Sequence, residues 1–430
     1  MASTSGGSLL VHLQRALRTV WARAIVFTVV AVLFALAAGV VGAWIPVEVT
    51  VELGQNSVDS ILQIIATAML TATTFSITAM VTAYSSATTI ATPRSTKLLI
   101  ADPTSQTALS TFTGAFVFAL VGIIALSTGY YTEQGRTILF FGTLVVIGVI
   151  VITLLRWIGH LARFGRMADV IDRVEDAATA ALIAHMRRPT LGARELTRAP
   201  AGSFPIAVTD ARYVLAIDVA RLDALAQEHD CEVYVAATPG TIADALHPLA
   251  HVSVAPTQSL RDQLSAAFTF GRHRDYDQDP RLGVIALAEI GSRALSPGTN
   301  DPGTAIEVTA ALQRVFSSAF TTDTDDAAQI DHDRVWMPRA QARDLLTDAF
   351  RPLARDGAGF AEVLIRVQKC LAALAETAPE HRALLRELSA EVNARSRDAL
   401  SRRERASVRE AAVGLGLERT RRISDVGGPR

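Results

Sequence analysis

Residues 61–83 read ILQIIATAMLTATTFSITAMVTA, a run without Asp, Glu, Lys, Arg or His. Crossing roughly 30 Å of hydrocarbon takes about 20 helical residues, so this stretch is long enough to span a bilayer. Three further stretches lack Asp, Glu, Lys and Arg: 24–45, 108–130 and 137–155. The last is the shortest. Four such runs in succession argue against buried helices of a soluble protein. A cleaved signal is the rival reading for 24–45. That run is longer than the usual signal core of about 7–15 residues, and three more spans follow it.

The composition agrees. Half the residues are hydrophobic and 19% are charged, where a soluble domain carries about 25%. The formal net charge is -1, which offers no global attraction for nucleic acid. Two cysteines, Cys231 and Cys370, are too few for a disulfide scaffold or a thiolate zinc site.

Lys and Arg at the span ends set the expected orientation. Arg15, Arg18 and Arg23 precede the first span, while the first loop carries Glu48, Glu52 and Asp59 instead. Arg94 and Lys97 lie in the second loop, and Arg156, Arg163 and Arg166 follow the fourth span. The pattern places both termini in the cytoplasm and the chain in the inner membrane. Trp21, Trp44 and Trp157 fall near span ends, where amphipathic rings settle.

In and just beyond the second span, Thr67, Thr71, Thr74, Thr78, Thr82, Ser85 and Thr89 recur at steps of three or four, which puts them on one helix face. A hydroxyl face of this kind lines a water path in an oligomer, binds a polar ligand, or supports helix packing, since Ser and Thr bond the preceding turn and let helices approach. The spans hold no ionisable residue of the kind that ion-coupled carriers use, which disfavours such a carrier.

The expected fold class is an α-helical membrane protein with four transmembrane helices plus a mostly helical α+β cytoplasmic domain. The expected organisation is a transmembrane domain over 1–155, a connecting helix over 156–188, and a small α+β module over 204–256. A helical domain over 257–413 and a disordered tail over 414–430 complete it. Residues 189–203 read as a linker and 321–333 as an acidic surface loop. Helices are expected at 339–354, 359–376 and 379–413. Asp218 and Thr257 read as helix caps, and Asp301 before Pro302 is a strong helix start. The stretch 395–422 carries nine Arg against four acidic residues, and suits an anionic leaflet or a solvated helix end equally.

Two polar loops, 271–280 and 293–302, flank one short helix. They supply the candidate ligand-binding residues Arg272, Asp277, Asp279, Arg293, Asn300 and Asp301, with Arg274 beside them; the bland alternative is helix caps and surface ion pairs. Ser296-Pro297-Gly298 reads as a tight turn with Gly298 free to take positive φ. His332 between Asp331 and Asp333 does not have the spacing of a metal site. Phosphate-loop, dinucleotide, zinc-protease and nucleophile-elbow motifs are absent from the sequence. Hence no enzyme activity, cofactor or metal is expected.

Several stretches carry a family resemblance: Phe75-Ser76-Ile77-Thr78, Pro93-Arg94, Tyr213-Val214-Leu215-Ala216-Ile217-Asp218, and Gln278-Asp279-Pro280. The most specific is Arg293-Ala294-Leu295-Ser296-Pro297-Gly298-Thr299-Asn300-Asp301-Pro302-Gly303-Thr304-Ala305. On these the chain resembles a family of predicted bacterial membrane proteins of unknown function, domain-of-unknown-function family 2254. Gly303 stands where that family usually carries a bulky residue. The resemblance implies four spans and a cytoplasmic domain, and brings no activity. The expected function is an integral membrane protein, either an oligomeric passive channel with a cytoplasmic sensing domain or a non-conducting ligand-binding scaffold. Its expected partners are the lipid bilayer and further copies of itself, and not nucleic acid.

Overall fold

The computed structural model describes residues 20–42, 55–90, 92–100, 102–324 and 329–413. Arg15, Arg18, Trp44, Glu48, Glu52 and the tail from 414 lie outside these residues. The chain divides into two compact units, one of residues 1–89 and 96–169, the other of 90–95 and 170–430.

The first unit contains α1 (Val20–Gly42), most of α2 (Gln55–Ile90), part of the short α3 (Pro93–Ile100), α4 (Pro103–Ser127) and α5 (Glu133–Leu161). Among the described residues, three helical segments are long and apolar enough to cross a membrane: Val58–Ser85, Pro103–Ser127 and Glu133–Leu161. A shorter apolar segment, Ile25–Val40, lies in α1. Two expected boundaries shift. The fourth stretch, shortest by its charge-free run, lies in a helix of 29 residues. Its first turn carries Glu133 and Arg136 and its last third Arg156, and a charge-free count cuts the helix at Arg136 and Arg156. The third helix starts at Pro103 and not near 108. Asp102 accepts a hydrogen bond from the Ser105 N–H at 2.7 Å, and Pro103 opens the first turn.

α1, α4 and α5 pack on one another. Gly114 permits this approach: a Cβ there would lie 3.3 Å from Phe27 Cβ. The tyrosines after α4 tie the unit to α1. The Tyr131 hydroxyl donates to the Ala35 carbonyl at 2.7 Å and that of Tyr130 to Leu36 at 3.1 Å. α2 joins through side chains of one face, where Val58, Leu62, Ile65, Ala66 and Met69 are buried in the unit's core.

The expected connecting helix 156–188 is two helices. α5 ends at Leu161 and α6 spans Met167–Arg187. Between them Gly165 takes φ +76, a conformation that a helix cannot contain.

The second unit has a sheet layer and a helix layer. Strands are β1 (Ala193–Glu195), β2 (Phe204–Ile206), β3 (Arg212–Ile217), β4 (Val233–Val235), β5 (Ile242–Ala243), β6 (Ala250–Val252), β7 (Phe268–Gly271) and β8 (His332–Met337). They form a five-stranded sheet in the order β1-β8-β4-β6-β2 and a three-stranded sheet β5-β3-β7. β8 runs parallel to both β1 and β4, and every other pairing is antiparallel. The α+β part therefore exceeds 204–256. The expected linker contributes β1, the expected acidic loop ends in β8, and the expected helical region 257–413 holds β7 and β8.

α7 (Val219–Glu228) and α8 (Gln258–Ser265) pack beside the strands and start at Asp218 and Thr257, as their capping chemistry requires. The helix layer comprises α9 (Leu282–Ala294), α10 (Pro302–Phe320), α11 (Ala342–Asp356), α12 (Ala361–Thr377), α13 (Arg382–Ala399) and α14 (Arg402–Val413). The expected single helix 379–413 breaks at Leu400, which takes extended backbone. α9 packs on α10 and α11, and α10 on α12.

Candidate functional site

On α2 the residues sort into two faces. One carries the buried apolar residues and Ser76. The other presents Thr67, Thr71, Thr74, Thr78 and Thr82 outward. The outward row extends at both ends, to Asp59 and Gln63 before it and Ser85 after it, at the same spacing. The Gln63 amide donates to Asp59 at 2.7 Å. Each threonine hydroxyl donates to a carbonyl one turn back: Thr67 to Gln63 at 3.1 Å, Thr71 to Thr67 at 2.9 Å, and Thr74 to Leu70 at 3.0 Å. Thr78 bonds Thr74 at 3.0 Å and Thr82 bonds Thr78 at 2.9 Å. The row contributes nothing to the unit's core. It leaves hydroxyl oxygens outward beside Ile64 and Phe75, 67% and 64% exposed.

In the second unit the six candidate ligand residues do not converge. Arg272, Asp277 and Asp279 precede α9, and Arg293, Asn300 and Asp301 lie at or beyond its far end. The near cluster is mostly structural. Asp279 is 2% exposed, accepts from Arg274 Nε at 2.6 Å and Nη2 at 2.9 Å, and takes the Arg281 and Leu282 N–H groups at the start of α9. Arg272 is exposed.

At the far end, Asp301 caps α10, accepting from the Thr304 N–H at 3.1 Å and the Thr304 hydroxyl at 2.6 Å. These bonds hold its carboxyl below the usual carboxylate range. The turn before it differs from the expectation. Gly298 does not take positive φ; Asn300 does, at +51. Asparagine tolerates that region because its side chain bonds locally. The Thr299 and Asn300 N–H groups both donate to the Ser296 carbonyl, and the Asp301 N–H reaches Ala294 at 2.8 Å.

This turn borders an open cleft of about 930 Å³. Pro93 and Arg94 line it with Glu289, Ser292, Arg293 and Asn300. Arg94 pairs with Glu289, and the Tyr276 hydroxyl donates to the Arg94 carbonyl at 3.2 Å. Burial, then the nearby Glu289 charge, pushes the Tyr276 phenol up. The second carboxylate oxygen of Glu289 is buried without a hydrogen-bond partner among the described residues. Ser292 donates to Asp356, whose carboxyl is held low chiefly by Arg355. Two of the motifs singled out in the sequence, Pro93-Arg94 and the string from Arg293, thus share one wall. Glu289, Ser292 and Asp356 were not singled out; nothing in their local sequence marks them.

His332 lies in β8, its Nδ1 3.8 Å from Asp223. Among the described residues no three His, Cys, Asp or Glu side chains form a cluster able to hold a metal ion.

Long apolar helices in one unit, beside a second unit of strands and helices, mark the chain as a membrane protein with a mostly helical α+β C-terminal region. The family model described as predicted membrane protein (DUF2254) matches residues 18–373, and the chain belongs to that family. Neither the curated proteins nor the solved structures yield a match.

Proposed function

We propose that the protein is an oligomeric passive channel of the inner membrane, with four spans, both termini cytoplasmic, and the second unit as a cytoplasmic gate or sensor. The observation that carries this is the outward polar row of α2. A carboxylate, an amide and six hydroxyl groups along one helix face gain nothing from lipid, and several copies facing one another would enclose a wetted path. The Ile25–Val40 segment, within the 23-residue helix α1, supplies the fourth span. The Lys/Arg asymmetry supports the orientation.

A second reading is a non-conducting, membrane-anchored scaffold. The i−4 bonds favour it, because hydroxyls already satisfied in this way suit tight helix packing. In neither reading does the protein act as an enzyme.

Arg94 supports the gating part. Residues 90–95 follow the second span directly and belong to the second unit, where Arg94 pairs with Glu289. If that pair holds the gate, Glu289→Gln changes open probability and leaves single-channel conductance unaltered. A planar-bilayer recording on the purified chain tests the proposal. Discrete currents are expected; a chain that inserts and conducts nothing leaves the scaffold reading.

A further inference from the structure

Several arginines of the helix layer are tied to carboxylates. Arg343 Nη1 meets Glu387 at 2.8 Å, Arg351 and Arg395 share Glu391, and Arg355 holds Asp356. The corner where α13 gives way to α14 is different. Among the described residues, Arg397, Arg402, Arg403 and Arg409 meet no carboxylate. The Arg405 guanidinium donates to the Arg397 carbonyl at 2.8 Å instead. We propose that this corner docks on the headgroups of anionic phospholipid. The inference goes beyond the channel reading and does not depend on conduction.

Helical spacing gathers the charge on one flank. α14 packs on α12 and buries Val408 and Ala412, both 0% exposed. Arg402, Arg405 and Arg409 stand at steps of four and three, so they form one stripe beside that seam. Glu404 falls on the other side of the seam, where its carboxylate accepts from the Ser401 N–H at 2.9 Å at the start of the helix. Glu410 lies at the back, in line with Arg403. The stripe therefore holds three guanidinium groups and no carboxylate. Arg402 and Arg409 are exposed and Arg405 is half-buried. Arg397 joins them from the last turn of α13, its side chain exposed beside that of Asp398. From Arg397 to Val413, five Arg stand against Asp398, Glu404 and Glu410.

A plane of fixed negative charge attracts such a stripe without a shaped pocket. Each basic group near an anionic leaflet shifts the docking equilibrium by about fivefold. Three acting together shift it by roughly a hundredfold. The chain belongs to a membrane-protein family, so a lipid surface is always within reach and docking is an intramolecular step. The sequence beyond Val413 keeps the same sign, with four Arg against Glu418 and Asp425. A second copy of the chain is a poorer match, because it presents the same positive stripe and its formal net charge is only -1.

The test puts a fluorescent thiol label on the full chain at Ala406→Cys. Ala406 is exposed and within one turn of all three stripe arginines. Cys231 and Cys370 are buried, so the label goes to the new thiol. The labelled chain is placed in nanodiscs of phosphatidylcholine, alone or mixed with phosphatidylglycerol, with a spin label on some choline headgroups as quencher. Quenching is expected with phosphatidylglycerol and is lost without it. It should also fade in high salt, which shortens the screening length from about 10 Å at 0.1 M to about 3 Å at 1 M. The triple variant Arg402→Gln/Arg405→Gln/Arg409→Gln should fall to the phosphatidylcholine level. Arg272→Gln, exposed in another part of the second unit, should be quenched as the unaltered chain is. Melting curves confirm that each variant is folded. Three results overturn the proposal: equal quenching, or none, in the two lipids; unchanged quenching in the triple variant; or a label shielded from acrylamide in solution yet not quenched by the headgroups, which would give the stripe to another copy of the chain.

Discussion

The outward row of α2 and the polar side chains of the second unit are disposed in opposite ways. In the second unit polar groups are drawn into the fold: Asp279 grips Arg274 and starts α9, Asp301 starts α10, and Gln368 exchanges hydrogen bonds with Ser389 in the core. In the first unit Thr67, Thr71, Thr74, Thr78 and Thr82 of α2 face outward, and their hydroxyls donate to carbonyls of their own helix. A group that stabilises the fold is identified by its partners. A row of threonines that faces outward and donates one turn back in its own helix answers to something outside the unit's core.

That contrast is broken most easily at Asp279. Asp279→Ala leaves the Arg274 guanidinium half-buried without its carboxylate and removes the start of α9, so a loss of about 3–5 kcal/mol is expected. Chemical denaturation followed by circular dichroism measures it; a change below about 1 kcal/mol would show that the pair is ornamental.

Asp301 sharpens the contrast. As a cap alone, Asp301→Ala should cost about 1 kcal/mol, while Asp301→Ser and Asp301→Asn stay near the starting stability. Melting curves of the full chain decide this. A functional defect in Asp301→Ser without loss of stability would instead give the carboxylate charge a role in the adjoining cleft.

A gentler effect is expected from His185. Burial lowers its pKa from the ordinary 6.5, outweighing the backbone bond at Ala340, with Arg339 adding to the lowering. The unfolded chain then binds the proton more readily than the folded one. Stability should be complete above about pH 6.5 and decline as pH falls toward the lower folded value. His185→Gln should flatten that slope in melting temperature against pH; an unchanged slope would place its origin elsewhere.

Much of this was legible in the chain. The long apolar runs, the outward threonine spacing and the caps at Asp218, Thr257 and Asp301 all follow from local chemistry. The Asp102-Pro103 start has the same form as Asp301-Pro302, yet a boundary set by apolar content passes over it. The break at Gly165 was hidden because the apolar positions on either side keep helical spacing. β8 was hidden because its residues His332–Asp333 continue an acidic stretch, and its burial comes from β1 and β4, far away in sequence. The Arg94–Glu289 pair joins residues 195 apart, and no local pattern announces such a contact. The candidate ligand residues were drawn as one cluster because composition gives no distances; α9 sets the two groups apart.

The smallest effect on folding is expected where the effect on function is largest. Thr74→Val and Thr78→Val remove hydroxyls that no other element touches, so stability in detergent should move by no more than about 0.5 kcal/mol. The most direct measurement is a planar-bilayer recording of the purified chain beside Thr74→Leu/Thr78→Leu, with oligomeric mass checked in the same lipid. The account predicts discrete currents from the unaltered chain and a changed conductance from the double variant at unchanged mass. A silent bilayer, or identical currents from both proteins, would contradict it.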